Sequence, residues 1–94
     1  MSDSGLWYVY IIETDNHRLY TGITKDVARR FSEHQDVFAG NSGAKGAKYF
    51  RTAKPVRIVF QEACDNRSEA TKKEIQIKSL SRAQKLKLIN QHSG

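Results

Sequence analysis

The run Trp7-Tyr8-Val9-Tyr10-Ile11-Ile12-Glu13 is the strongest local constraint in this chain. Its aromatic and β-branched residues suit a pleated strand. Thr14-Asp15-Asn16-His17 comes next with turn chemistry, and Leu19 to Ile23 reads as a second strand. The pair is a β-hairpin. Parity sets its register. A loop centred on Asn16 pairs residues equidistant from it, and directly paired residues share a face. Trp7, Val9 and Ile11 then join Leu19, Thr21 and Ile23 on one face. Tyr8, Tyr10 and Ile12 join Tyr20 and Gly22 on the other. A turn made of Asp15-Asn16 alone would shift the pairing and split the apolar sets. An odd-length loop is therefore expected, and it brings Tyr10 and Tyr20 close together on one face.

Beyond the hairpin, Thr24 or Asp26 can cap a helix running to about Phe38. Its apolar stripe is Val27, Phe31, His34 and Phe38. Arg30 borders that stripe, and Arg29 points to solvent. Gly40 to Gly46 is loop, and Ala47 to Arg51 is read as a short helical turn. Pro55 opens a third strand, Val56 to Ala63, with Val56, Ile58 and Phe60 alternating inward. A helix starts within Asp65 to Ser68 and runs to about Leu80, with Ala70, Glu74 and Ile77 inward and Glu69 on the polar side. Ser81-Arg82-Ala83-Gln84 is a capping-box pattern that starts a last helix carrying Leu86 and Ile89.

At 94 residues the chain supports one modest core. The expected fold is α/β of the α+β kind: a small three-stranded antiparallel sheet flanked by helices, in the order β-β-α-(α)-β-α-α. One domain is expected over 1–94, with its core at about 6–90.

The formal charge of +6 points to a polyanionic partner. It is unevenly spread. Residues 40–60 carry Lys45, Lys48, Arg51, Lys54 and Arg57 and no acid, and the chain from Arg67 onward is also strongly basic. Tyr49 and Phe50 lie inside the acid-free stretch, a combination that suits a nucleic-acid backbone. The longest apolar run, Leu6 to Ile12, is far too short to span a membrane. The single cysteine, Cys64, excludes an internal disulfide and a cysteine zinc cage, and is read as a small buried apolar residue. No secretory leader pattern is present. A reducing, cytoplasmic setting is expected.

Tyr8-Val9-Tyr10 and Tyr20-Thr21-Gly22, nine residues apart, resemble the two signature triplets of the GIY-YIG nuclease superfamily. Arg30 stands where that family places its arginine, and Glu74 where it places its metal-binding glutamate. Tyr20-Thr21-Gly22-Ile23-Thr24, Gly46-Ala47-Lys48-Tyr49 and Arg67-Ser68-Glu69-Ala70 resemble its small stand-alone bacterial members. The likeness runs from Trp7 to about Leu88. The first triplet departs by having Tyr8 for Gly and Val9 in the middle, and the second by having Thr21 for Ile.

The resemblance implies metal-assisted phosphodiester hydrolysis. Glu74 would hold one divalent ion: Mg²⁺ is expected, with Mn²⁺ as substitute. Arg30 would fork onto phosphate oxygens. Tyr10 would activate the attacking water, given a cation that lowers its pKa, with Tyr20 positioning water or phosphate. His34, one turn past Arg30, would orient the site, and Gly22 would allow close approach. Gly22, Lys45, Lys48, Tyr49 and Arg51 would contact the nucleic acid. DNA, branched or damaged, is the expected partner, in repair or recombination. RNA stays open as a partner, and no membrane partner is expected.

Ordinary roles compete with each of these. Tyr10 and Tyr20 suit any strand, Arg30 can pair with Asp26, Glu74 can pair with Lys78, and His34 can be a packing residue. A non-catalytic nucleic-acid-binding module and an accessory interaction domain stay open as alternatives.

Overall fold

The computed structural model describes residues 5–93; the ends of the expected 1–94 domain, residues 1–4 and 94, lie outside the described residues. Strands β1 (Trp7–Thr14), β2 (Leu19–Thr24) and β3 (Pro55–Cys64) form an antiparallel three-stranded sheet in the order β2-β1-β3. Helices α1 (Val27–Ala39), α2 (Arg67–Lys78) and α3 (Arg82–Ser93) flank it, and a 3₁₀ turn spans Lys48–Arg51. Element order and topology match the expected α+β arrangement. Among the described residues no helix is long and apolar enough to cross a membrane.

The hairpin register is the one that parity predicts. Tyr10 pairs with Gly22, and Ile12 with Tyr20. Its loop is Asp15-Asn16-His17, closed by the Thr14 N–H donating to the Arg18 carbonyl at 3.0 Å. His17 takes the left-handed conformation, φ 62°, that such a loop needs at its last position. Asp15 ties the loop to the start of β3, its carboxylate accepting from the Lys54 N–H at 3.2 Å.

β1 is the central strand, and it is covered on both faces. Val9, Tyr10, Ile11 and Ile12 are at most 1% exposed. That double burial is why the strand is apolar without interruption rather than alternating. On one face Tyr10, Ile12, Val27 and Phe50 form a cluster under α1 and the 3₁₀ turn. On the other, Val9, Ile11 and Phe60 pack with Ile77 of α2 and with Leu88 and Ile89 of α3.

β3 departs from the simple alternation expected of it. Ile11 pairs with Phe60 but Ile12 with Ile58, and Glu13 pairs with Arg57 but Thr14 with Pro55. Val59 and Val56 are thus extra residues in two bulges, and each bulge reverses the strand's parity on its far side. Phe60 and Ile58 therefore enter opposite clusters, and Val56 is 50% exposed.

The helix stripes also differ from expectation. Phe38, at the end of α1, is 41% exposed beyond the edge of the packed face. In α3 the inward stripe is Lys85, Leu88 and Ile89, and the exposed His92 at its end lays its ring 4.7 Å from that of Phe60. Leu86 falls off that stripe and is exposed. α2 stops at Lys78, before Leu80, because Ser79 already closes its last turn. Cys64 is half-buried rather than buried, at the end of β3. The expected caps are found. The Asp26 carboxylate accepts from the Arg29 N–H, and Ser81 and Gln84 form a reciprocal capping box.

Candidate active site

Tyr10 and Tyr20 come from adjacent strands, and their shared face puts the ring centroids 6.4 Å apart. α1 lies across that face because Val27 and His34 are its buried residues. His34 is fully buried, and its Nε2 lies 2.9 Å from the Tyr10 hydroxyl oxygen. Its Nδ1 accepts from the backbone N–H of Ala47 at 3.1 Å.

That second bond sets the proton positions. A backbone N–H can only donate, so Nδ1 carries the lone pair. Burial, aided by the Arg30 charge, pushes the His34 pKa down to about 4, so the ring is neutral. Its proton is therefore on Nε2, which donates to Tyr10. The Tyr10 oxygen accepts, and its own proton is left to point elsewhere. Phe50 flanks the imidazole at 4.3 Å between centroids, and Tyr20 meets it edge-on at 5.4 Å.

Two glycines make this packing possible. A β-carbon on Gly22 would lie 2.6 Å from the Tyr10 hydroxyl oxygen. One on Gly46 would collide with the Glu33 carbonyl oxygen and lie 2.7 Å from the His34 Cα. Gly46 thus lets the loop lie directly on α1, which delivers the Ala47 N–H to His34.

Arg30 is fixed by the same loop. Its Nη1 donates to Glu33 Oε1 at 2.9 Å and to the Lys45 carbonyl at 3.0 Å. The partner is Glu33, not Asp26, whose carboxylate is engaged as the helix cap. Other donors of the fork remain for an oxyanion. Burial disfavours the guanidinium charge, but Glu33 and Tyr10 outweigh it and hold the pKa above its ordinary value. Hydrogen bonding to Arg30 in turn lowers the Glu33 carboxyl.

The protein's own groups raise both phenols, so lowering Tyr10 would fall to a bound cation. Burial raises Tyr10 well above the ordinary tyrosine value, Tyr20 adds to the rise, and Arg30 only partly opposes it. Tyr20 is also raised, by burial first, against the lowering charges of Arg30 and Lys78. Glu74 raises both phenols, so its charge reaches the tyrosines although α2 packs Ile77 on the far face. The Glu74 side chain is 19% exposed and accepts an ion pair from Lys78 Nζ at 3.1 Å.

Among the described residues no cluster of three or more His, Cys, Asp or Glu side chains converges as a metal cage. Glu74 offers a carboxylate whose charge acts on both tyrosines, and the tyrosines offer hydroxyl oxygens, all hard oxygen donors. Such a set fits a Mg²⁺-like ion that keeps most of its water. Lys78 is the cation now balancing the carboxylate, and its exposed ammonium is free to swing away.

The expected nucleic-acid contacts separate into different places. Gly22 lies beneath Tyr10. Lys45 presents its carbonyl to Arg30 and its side chain to solvent. Lys48 and Arg51 line a cleft of about 560 Å³ with Phe38, beside the α1 terminus. Tyr49 faces the tyrosines, its ring 5.3 Å from Tyr20. Sequence reasoning assigned no site role to Phe50, Glu33 or Gly46. The Arg30–Glu33 spacing was a readable signal; Gly46 lay in a stretch that resembles the family, but nothing local singled out its packing on α1.

The family model of the GIY-YIG catalytic domain matches residues 6–87. The chain is 47% identical over 88 residues to the UPF0213 protein DP2720 of Desulfotalea psychrophila, covering 94% of this chain and 74% of that one. It is 49% identical over 85 residues to the UPF0213 protein H16_B0156 of Cupriavidus necator, covering 90% and 85%. The solution NMR structure of the UPF0213 protein BH0048 from Bacillus halodurans superposes with a TM-score of 0.58 at 37% identity, covering 95% of this chain and 87% of that one. With that match over most of its length, the chain belongs to the GIY-YIG catalytic domain family, a nuclease family whose members generally use divalent metal ions.

Proposed function

We propose that this chain is a metal-dependent endonuclease that hydrolyses phosphodiester bonds in branched or damaged DNA, serving repair or recombination in the cytoplasm. One observation carries the reading: Tyr10, Tyr20, neutral His34 and the Arg30 charge act on one another at a single sheet face, and the Glu74 charge on α2 raises both phenols.

In such a hydrolysis a P–O bond to water forms as the P–O bond to the leaving sugar oxygen breaks, the attacking water yields a proton to solvent and the leaving oxygen takes one from solvent. Negative charge grows on the non-bridging oxygens, and the Arg30 fork meets it. Glu74 would hold the divalent ion, which supplies further charge neutralisation and eases loss of the water proton. Tyr10 acts as a neutral hydroxyl. His34 fills one of its lone pairs, so its own proton is directed toward water or a phosphate oxygen. Tyr20 supplies the second hydroxyl that positions them.

Selection by shape is a consequence of size. A module this small covers only about 600–1,000 Å² of DNA. Phosphate contacts carry no sequence information.

The test is cleavage of labelled linear, flapped and four-way DNA with Mg²⁺, Mn²⁺ or EDTA. Glu74→Ala, Tyr10→Phe and Arg30→Ala run alongside. The expected result is ion-dependent cutting of the branched substrates, lost in all three variants. Cutting that survives Glu74→Ala refutes the site. Binding without cutting under every condition favours a non-catalytic binding module.

A further inference from the structure

Arg18 from the hairpin and Arg82 and Lys85 from α3 are remote in sequence, yet they line one cleft of about 240 Å³ with Leu19 and Tyr49. Three observations meet at this place. Arg29, Arg30, Arg57, Lys72, Lys73 and Lys78 all pair with carboxylates. Among the described residues the three cations of the cleft have no such partner, a state they share with Lys48 and Arg51 of the larger cleft. Arg82 and Lys85 also stand in the first turn of α3, which holds no acid. A helix N-terminus is itself positive, so cations there are disfavoured unless an anion is shared between them. Finally, the aromatic wall of the cleft is Tyr49, whose ring lies 5.3 Å from that of Tyr20. The cleft is thereby continuous with the Tyr10–Tyr20 face.

We propose that this cleft seats a single nucleic-acid strand next to the phosphate held at Arg30. Its sugar-phosphate backbone lies on Arg18, Arg82 and Lys85, and one unpaired base packs on Tyr49. An anion satisfies the three cations together. An unpaired base, unlike one in a duplex, can offer its face to the aromatic wall. The inference rests on the proposed nuclease reading only in naming the strand as substrate. It would favour flaps, ends and branch points, where single strand emerges beside the cut.

Binding tests it without cleavage. The Glu74→Gln chain in EDTA is titrated against short fluorescein-labelled single-stranded and duplex DNA over a range of salt. Replacing Arg18, Arg82 and Lys85 by Ser should weaken single-strand binding at least about tenfold at low salt. It should also reduce the salt slope by about 2, at roughly 0.7 per phosphate contact. Tyr49→Leu should weaken the single strand at least about fivefold and leave the duplex unchanged. Replacing Arg57, Lys72 and Lys73 by Ser removes the same charge elsewhere and should leave the slope as it was. Thermal melts confirm that each variant is folded. An unchanged slope in the first triple overturns the proposal. So does an equal change in the control triple, or a Tyr49→Leu effect that is the same on both DNAs. Failure of the wild-type chain to cut DNA would remove the proposed function and leave this binding result standing.

Discussion

Gly22 sits directly beneath its cross-strand partner Tyr10: a β-carbon at Gly22 would stand 2.6 Å from the Tyr10 hydroxyl oxygen. The tip of that ring is held by His34 and buried, so it has nowhere to retreat without breaking the bond. Gly22→Ala should therefore cost about 1–3 kcal/mol, as overpacked cores do. Misplacing the hydroxyl by an ångström should reduce DNA cleavage about 100-fold. A chemical melt and a cleavage time course read the two effects separately. Wild-type cleavage in Gly22→Ala would show that the position of the hydroxyl does not matter.

Tyr10→Phe removes the acceptor of the His34 Nε2–H and leaves that donor buried without a partner. The cost should be about 1–3 kcal/mol. In a His34→Leu background the same substitution should cost about 1 kcal/mol less, because the donor is already gone. A urea-denaturation double-mutant cycle measures the difference. Zero coupling would mean that the two side chains touch without a bond.

His34 also makes stability depend on pH. Its pKa in the folded chain is about 4, below the ordinary 6.5, owing first to burial and then to the Arg30 charge. Between those values the unfolded chain binds the proton and the folded chain does not. Stability should therefore fall as pH drops from about 6.5 to 4, by about 3 kcal/mol in total, and fall no further on this account below that. Carboxylates titrate near the lower end as well. The difference between wild type and His34→Asn isolates the histidine, and it should shrink across that window. A constant difference would contradict a neutral His34.

The hairpin and the shared face of its tyrosines were legible in the chain because strand parity is a local rule: shifting the pairing by one residue would have put Leu19 and Ile23 on the opposite face from Val9 and Ile11. Asp26 and Ser81-Gln84 were legible because caps are read from neighbouring residues. The bulges at Val56 and Val59 were not, since extra residues in β3 are defined only against β1. The support around His34 was hidden for a similar reason. It depends on Gly46 laying the loop on α1, which brings Ala47 and Phe50 to a helix that precedes them by a long loop. Arg18, Arg82 and Lys85 looked like scattered surface charge until the hairpin turn and α3 were placed side by side.

Lys78 now occupies the carboxylate that the metal would use. Its Nζ lies 3.1 Å from Glu74 Oε2, and its side chain is 55% exposed against 19% for Glu74. Any ion at Glu74 must first displace this ammonium, so lysine and metal compete. An exposed pair is worth up to about 1 kcal/mol, so Lys78→Met should lower the Mg²⁺ concentration for half-maximal cleavage by up to about fivefold. The same lysine also lowers the Tyr20 phenol, so the variant reports two effects. A shift in half-saturating Mg²⁺ measures the competition, and a change in the rate at saturating Mg²⁺ measures the charge on Tyr20. Glu74→Gln provides the other limit. It should change stability by no more than about 1 kcal/mol, the most such a pair is worth, while removing metal-dependent cleavage altogether. If half-saturating Mg²⁺ is the same in Lys78→Met as in wild type, the ion does not bind where Lys78 sits, and Glu74 loses its place as the metal ligand.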